Sequence, residues 1–421
     1  MNLLDKSIVE LRREFHRIPE VGWLEFETTI KIIDYLKALG YEVEYGKKVH
    51  GQERMGLPSQ DKIDSHLESL NLQASYDISE IIQGYTGAVA RLDTKVPGPT
   101  IGLRFDIDAL NISESTDQAH LPIKEGFASK KALSMHACGH DGHIAIGLAL
   151  AKWLMEHKDS LKGKYVLIFQ PAEEGVRGAK SMVEAGVVDG LDYVIGGHIG
   201  QGQGGNTLGV GSGGFLATSK LDVEFIGVPS HAGASPEEGR NALLAAASAT
   251  LNLHSLTQFS SGMARLNVGT LRAGTSRNII ASQALMEIET RGENEDINKL
   301  LSQRVYQVIQ GSSQVFDVDY KIKLVGGALA YSPKNTSFID CIAGALVDKG
   351  YKVNKYPRLG GSEDFSYMMV EVENQGGQAL HFNFGTEITS RPHHFSFDFN
   401  ETILDFSKKA LIDTIELLIS N

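Results

Sequence analysis

The chain has 421 residues, with 40 basic and 52 acidic side chains, a formal charge of −12 at pH 7, 42% hydrophobic residues and 45 glycines. That length exceeds one ordinary core and predicts two or more domains, and the composition excludes a disordered or fibrous chain. The acidic balance argues against a polyanion-binding surface, so no nucleic-acid partner is expected.

In chain order, residues 4–39 read as two helices. The first stops at Pro19, and the second carries apolar residues at helical spacing up to Gly40. The N-terminus is amphipathic and charged and lacks the apolar core of a secretory signal. YEVEYG alternates like a strand, and residues 51–80 read as a polar, partly helical elaboration. From Thr86 the pattern becomes short apolar runs between turns, in TGAVARLDT, PGPTIGLRFDIDAL, KYVLIFQPAEEG and LDYVIGGHIG, with helices expected at 144–157 and 178–185. This order predicts an α/β fold with a mostly parallel sheet covered on both faces. Asp106 and Asp108 end one strand, Glu173 and Glu174 a second and His198 a third, and open α/β sheets build sites outside the carboxyl ends of their strands.

A glycine-rich stretch fills 200–214, and its segment Gly209–Gly214 reads as a hinge between domains. Its Gly209-to-Gly214 match to a dinucleotide fingerprint is weak, because a strand-like run rather than a helix follows. Segment 216–326 then reads as a self-contained α+β unit inserted into a domain made of residues 1–215 and 327–421. No run reaches the ~18 apolar residues of a membrane span. The two cysteines, Cys138 and Cys341, suit a reducing compartment better than a disulfide scaffold, so the expected location is the cytoplasm, with no membrane partner.

The densest chemistry is Met135-His136-Ala137-Cys138-Gly139-His140-Asp141-Gly142-His143, just before the apolar run Ile144–Met155. Imidazole and thiolate favour a transition metal, whereas magnesium and calcium prefer oxygen. The ligands are expected on the loop entering a buried helix. In the adjacent pair Glu173 and Glu174, one carboxylate can face a metal while its neighbour acts as general base and then general acid. The same pair would also suit a helix start, where the dipole stabilises acidic groups. His198 and the His393-His394 doublet fall at strand ends or loops of the same predicted domain.

MHACGHDGH, GLRFDIDAL, LIFQPAEEG, GGHIG, SHAGASPEEGRNAL, the GTSRNII turn, GGSEDFSYMM and the closing HH and FDFNE segments together resemble the M20 metallopeptidase superfamily in its amidohydrolase branch. That branch includes hippurate, indole-acetyl-amino acid and aminobenzoyl-glutamate hydrolases. RMGLPSQ, GRNALLAAASATL and GFAS are most similar to the A-type chains of the last group. The resemblance implies a di-metal peptidase domain with an inserted lid and dimerisation domain, two zinc or manganese ions per protomer, and hydrolysis of N-acyl or N-aroyl amino acids, with p-aminobenzoyl-glutamate the foremost substrate.

Carried over by position, the resemblance implies Cys138, His140, Glu174, His198 and His393 as metal ligands, with His394 left open as the alternative last ligand. It implies Glu173 as general base and His231 as oxyanion donor, with Asn278 binding the substrate carboxylate. Asp108 is expected to orient a ligand, and Asp141 and His143 to support the ligands. Arg277 and Arg177 are read from guanidinium chemistry as further carboxylate binders. A homodimer through the lid, or a hetero-oligomer with a paralogous chain, is the expected assembly. The alternatives are a broader hydrolase of hippurate or indole-acetyl conjugates, a chain inactive without its paralogue, and a metal-binding module without chemistry.

Overall fold

The computed structural model describes residues 3–200 and 204–420. The chain begins with α1 (Ile8–His16), α2 (Phe26–Ala38), β1 (Glu42–Tyr45), α3 (Gln60–Glu68), β2 (Ala88–Asp93) and β3 (Thr100–Asp106). The single turn α4 (Leu121–Lys124), α5 (His140–Glu156), β4 (Lys164–Gln170), α6 (Gly178–Glu184), β5 (Tyr193–Ile199) and β6 (Thr207–Val210) follow. Next come β7 (Ala217–Ile226), α7 (Ala242–Leu253), β8 (Ala264–Ala273), β9 (Gln283–Gly292), α8 (Glu295–Val315) and β10 (Asp319–Ala328). The chain closes with α9 (Thr336–Asp348), β11 (Lys352–Lys355), α10 (Phe365–Asn374), β12 (Gln378–Gly385) and α11 (Thr402–Ser420).

Two compact units result. The first holds residues 1–213, 332–359 and 364–421, and the second holds 214–331 and 360–363. Against expected boundaries at 215/216 and 326/327, the compact units divide at 213/214 and 331/332. β10 stays paired with β7 as far as Ala328 opposite Thr218, and Phe215 bridges to Tyr331, so the second unit extends further along both strands. The short return 360–363 also joins it, through the Leu216 N–H to Gly361 carbonyl bond.

In the first unit, eight strands run in the order β1, β2, β4, β3, β5, β12, β6, β11. The middle run from β4 to β12 is parallel, with antiparallel pairs toward its flanks. β4 is buried from Tyr165 to Gln170 and β3 from Ile101 to Asp106, as strands covered on both faces require. Just before the expected hinge, the glycine-rich stretch contributes β6, which pairs with both β12 and β11. α1 starts at a capping box in which Ser7 and Glu10 bond each other's backbone N–H. Its buried face carries Ile8, Leu11 and Phe15, and with them Arg12 and His16.

The second unit is a four-stranded antiparallel sheet in the order β10, β7, β9, β8. β9 alternates buried and exposed residues, so one face packs while the other meets solvent. The packed face meets α7 through Ala242, Ala245, Ala246 and Ala249 and α8 through Leu301, Val305 and Ile309. Asn241 and Asn294 cap these helices by accepting from backbone N–H groups of their first turns.

Candidate metal centre

β3 and β4 lie in parallel register, with Asp106 opposite Gln170, and β5 lies on the other side of β3. Their carboxyl ends therefore deliver segments 106–110, 171–178 and 198–200 to one edge of the first unit. Gly139, at φ 89°, precedes α5 in the left-handed region that glycine adopts without cost. His140 is consequently the first residue of the helix, not a residue of the loop before it, and Cys138 stands just outside.

The turn after β4 departs from ordinary backbone geometry. Ala172 (φ 54°), Gly175 (φ 107°) and Val176 (φ 57°) all take positive φ, which is unfavourable for a β-branched residue and persists only where surroundings over-determine it. The Ala172 N–H donates to Glu25 Oε1 at 2.8 Å, the Glu174 N–H to Asp108 Oδ2 at 2.9 Å, and Arg177 Nη2 to the Glu174 carbonyl at 3.0 Å. These bonds hold Glu173 and Glu174 side by side at the strand end.

The histidines are fixed from behind. His140 Nδ1 donates to the Asp108 carbonyl at 2.9 Å, and His198 Nδ1 to the Ile199 carbonyl at 2.9 Å. That arrangement leaves each Nε2 facing the site. His198 Nε2 lies 3.4 Å from Cys138 Sγ, and His140 Nε2 lies 3.9 Å from Glu173 Oε2 and 4.0 Å from Glu174 Oε1. His393, at φ 67°, places Nε2 3.4 Å from Glu174 Oε1, while His394 Nδ1 is bonded to Ser396 Oγ at 2.8 Å. Donor atoms thus gather in two groups sharing one thiol, Cys138 with His140 and His198, and Cys138 with Glu174 and His393. A third group, His140 with Glu173 and Glu174, adjoins them.

The donor set fits divalent cations. Buried His140 Nε2 has no hydrogen-bond partner, which is costly unless another group satisfies it. Burial opposes the charged form of His140, yet Asp106 and the Asp108 hydrogen bond outweigh it and hold its pKa well above normal, so the site favours positive charge. Burial opposes ionisation of Glu174 too, but the His393 bond and the His140 charge bring its carboxyl below the ordinary value. Burial and the Glu174 charge push the Cys138 thiol up, and a bound cation would reverse this by stabilising the thiolate. Sulfur and imidazole donors select a transition metal over calcium or magnesium.

Residues 102–416 match the family model described as "Peptidase family M20/M25/M40". The chain belongs to peptidase family M20. This M20 chain is 42% identical to the A-type chain of the p-aminobenzoyl-glutamate hydrolase of Escherichia coli, over 98% of its own length and 96% of the relative. It is 42% identical to indole-3-acetyl-aspartic acid hydrolase of Enterobacter agglomerans, over 96% and 94%. The crystal structure of an aminobenzoyl-glutamate utilization protein from Klebsiella pneumoniae superposes with a TM-score of 0.84 at 38% identity, covering 99% and 97% of the two chains. A dinuclear metal binding M20 peptidase from Bacillus subtilis superposes at 0.66 with 25% identity, covering 98% of each. The M20 chain is accordingly a hydrolase of the N-acyl amino acid amidohydrolase type.

Other expected residues of the M20 chain fall into two places. In the second unit, His231 bridges to Ile279, and the Ala232 N–H donates to the Asn278 carbonyl, so the exposed loop of His231 lies beside the exposed turn of Arg277 and Asn278. His231 Nδ1 accepts from the N–H groups of Gly233 and Ala234 at 3.1 and 3.0 Å, which places the ring proton on Nε2. Arg177, in the first unit, donates to two backbone carbonyls. Its Nη1 is committed to the Gly56 carbonyl at 2.9 Å and its Nη2 to Glu174, so it ties the insert to the Glu turn.

His143 supports without a free nitrogen. Its Nδ1 donates to Asp106 Oδ1 at 2.5 Å, and its Nε2 accepts the Ile199 N–H at 3.0 Å. Asp141 accepts from Arg12 and His16. Arg12, His16 and Glu25 were not legible as site residues. The one available signal was that Arg12 and His16 fall on the otherwise apolar stripe of α1, where a charge must find a buried partner.

Proposed function

We propose that this chain hydrolyses the amide bond of N-aroyl amino acids, with p-aminobenzoyl-glutamate the foremost substrate, cleaved to p-aminobenzoate and glutamate. The observation that carries the reading is the pair of donor groups sharing Cys138, with the Glu173 carboxylate beside them 3.9 Å from His140 Nε2. Cys138, His140 and His198 would hold one divalent ion, and Cys138, Glu174 and His393 a second, zinc or manganese. Such ions supply Lewis acidity, lowering the pKa of water and polarising a carbonyl.

The chain's own residues do the rest. Glu173 takes a proton from water as its oxygen attacks the amide carbon, and returns it to the nitrogen as the C–N bond breaks. His231, from the second unit of this or a neighbouring protomer, donates Nε2–H to the carbonyl oxygen as it becomes negative. Asn278 and Arg277 on the adjacent exposed turn bind the amino-acid carboxylate. Asp108 orients His140 through its carbonyl and the Glu turn through its carboxylate.

We place the protein in the cytoplasm, on its cysteine usage, with the second unit acting as lid and dimerisation surface. A paralogous partner chain is supported by the Escherichia coli relative, whose name makes it one of the subunits of its hydrolase. No helix among the described residues is long and apolar enough to cross a membrane. A second reading, hydrolysis of indole-acetyl or hippurate-type conjugates, rests on the equal 42% identity to the indole-3-acetyl-aspartic acid hydrolase.

The deciding experiment strips the purified chain with a chelator, restores zinc or manganese, and measures glutamate release from p-aminobenzoyl-glutamate beside a panel of indole-acetyl and benzoyl amino acids. Metal-restored release of glutamate supports the first reading. Cleavage of the other amides alone moves the substrate to the second, and silence on all of them points to a required paralogous chain.

A further inference from the structure

His393 is the least supported donor of the centre. Its side chain is 54% exposed, its backbone is left-handed at φ 67°, and its N–H donates to the Ala137 carbonyl at 2.8 Å. A non-glycine residue in that conformation stays there only if the loop around it is held at its base. The base is where Ile388 bridges to Phe399 and the Thr389 N–H donates to the Asp398 carbonyl at 2.9 Å. The Asp398 side chain is gripped by Arg12 Nη2 at 2.5 Å.

The same guanidinium reaches the other half of the centre. Arg12 Nε donates to Asp141 Oδ2 at 2.8 Å, one residue beyond His140, and Nη1 donates to Glu401 at 3.0 Å. Its Cζ lies over the rings of Phe127 and Phe399, 5.0 and 4.3 Å from their centroids. Arg12 is fully buried. Three carboxylates around one guanidinium keep it charged, and the planar fork fixes their relative positions in a way a flexible ammonium does not.

We infer that Arg12 is a positioning residue for metal binding, which locks the C-terminal His393 loop to the His140 helix start so that the Cys138, Glu174 and His393 donors converge. The inference rests on the two-position reading of the donor set and adds a residue far from it in sequence. Asp398 is the arm that serves His393, and Asp141 the arm that serves His140. Cutting the Asp398 arm therefore weakens one ion and spares the other.

The test uses the full chain, stripped and reloaded with zinc. Bound ions are counted by atomic emission, and the tightness of each is measured by competition with a chromophoric chelator. Wild type is expected to hold two ions. Asp398→Asn, which is nearly isosteric and leaves Arg12 its other two carboxylates, is expected to keep one ion at wild-type strength and to bind the second about tenfold or more weakly, the pattern also expected of His393→Ala. Arg12→Lys is expected to fall between wild type and Arg12→Gln.

Two ions of unchanged affinity in Asp398→Asn and Arg12→Gln would overturn the inference. So would loss of both ions in step with a fall in melting temperature, which marks a merely structural role. Fewer than two ions in wild type would overturn the two-position reading and, separately recognisable, the inference built on it.

Discussion

The Asp108 carboxylate accepts the Glu174 N–H at 2.9 Å while the Asp108 carbonyl accepts His140 Nδ1 at 2.9 Å. One residue beyond a strand end thus sets both the orientation of a donor histidine and the placement of the Glu turn. With the donor groups held from behind in this way, the proposed general base and oxyanion donor can be changed without disturbing them.

Glu173→Gln is expected to leave both ions bound and to lower kcat by roughly 10³-fold, the order contributed by a positioned general base. Metal content and turnover measured on the same preparation decide it. A variant that retains most of its turnover would remove Glu173 from the mechanism.

His231→Ala is expected to lower kcat by about 10²-fold or more, as loss of one oxyanion donor does, with metal content unchanged because His231 belongs to none of the donor groups. Steady-state kinetics beside metal analysis separate these readouts. Equal kcat with a raised KM would instead assign His231 to ground-state binding.

Arg177→Lys distinguishes a structural tie from a substrate contact. Its two donated bonds hold the Gly56 and Glu174 carbonyls, and a lysine cannot reproduce that fork. The expected outcome is weaker retention of metal and a lower kcat. A rise in KM alone, at unchanged metal affinity, would support the carboxylate-binding role.

His16 gives a pH dependence of stability. Burial lowers its pKa, but hydrogen bonds to Asp141 and Glu114 outweigh it and raise it from 6.5 to about 9. The folded-state value stands above the unfolded one, so this stabilisation is complete below about pH 6.5 and is lost as pH rises through about 9; its size is on the order of 3 kcal/mol. Denaturant midpoints of wild type and His16→Gln, compared at pH 6 and pH 9.5, should differ more at the lower pH. A constant difference would contradict this assignment.

Much of the architecture was legible without coordinates. The apolar runs around Ile101–Asp106 and Tyr165–Gln170 read as buried parallel strands because such strands must be apolar on both faces. The second unit was readable as a separate α+β segment, while its antiparallel pairing and the alternation in Gln283–Gly292 are seen in the structure. The hinge expected at Gly209–Gly214 falls where the two units divide, at 213/214, but glycine content marks backbone freedom and carries no pairing information. Leu208 and Val210 supplied enough apolar surface for β6 to join the main sheet.

For the centre, sequence by itself determined the chemical types: a thiol, imidazoles and a carboxylate pair, each local to a motif, placed at strand ends by hydrophobic periodicity. Only the tertiary structure decided which atoms converge. It set His393 rather than His394 beside Glu174, fixed the His140 and His198 rings through backbone carbonyls, turned Arg177 inward, and brought Arg12 to Asp398 across 386 residues of chain. The physical reason is that periodicity and turn chemistry act over a few residues. A buried charge, by contrast, is compensated by whatever partner the fold delivers, and neither side chain records the other's position in the chain.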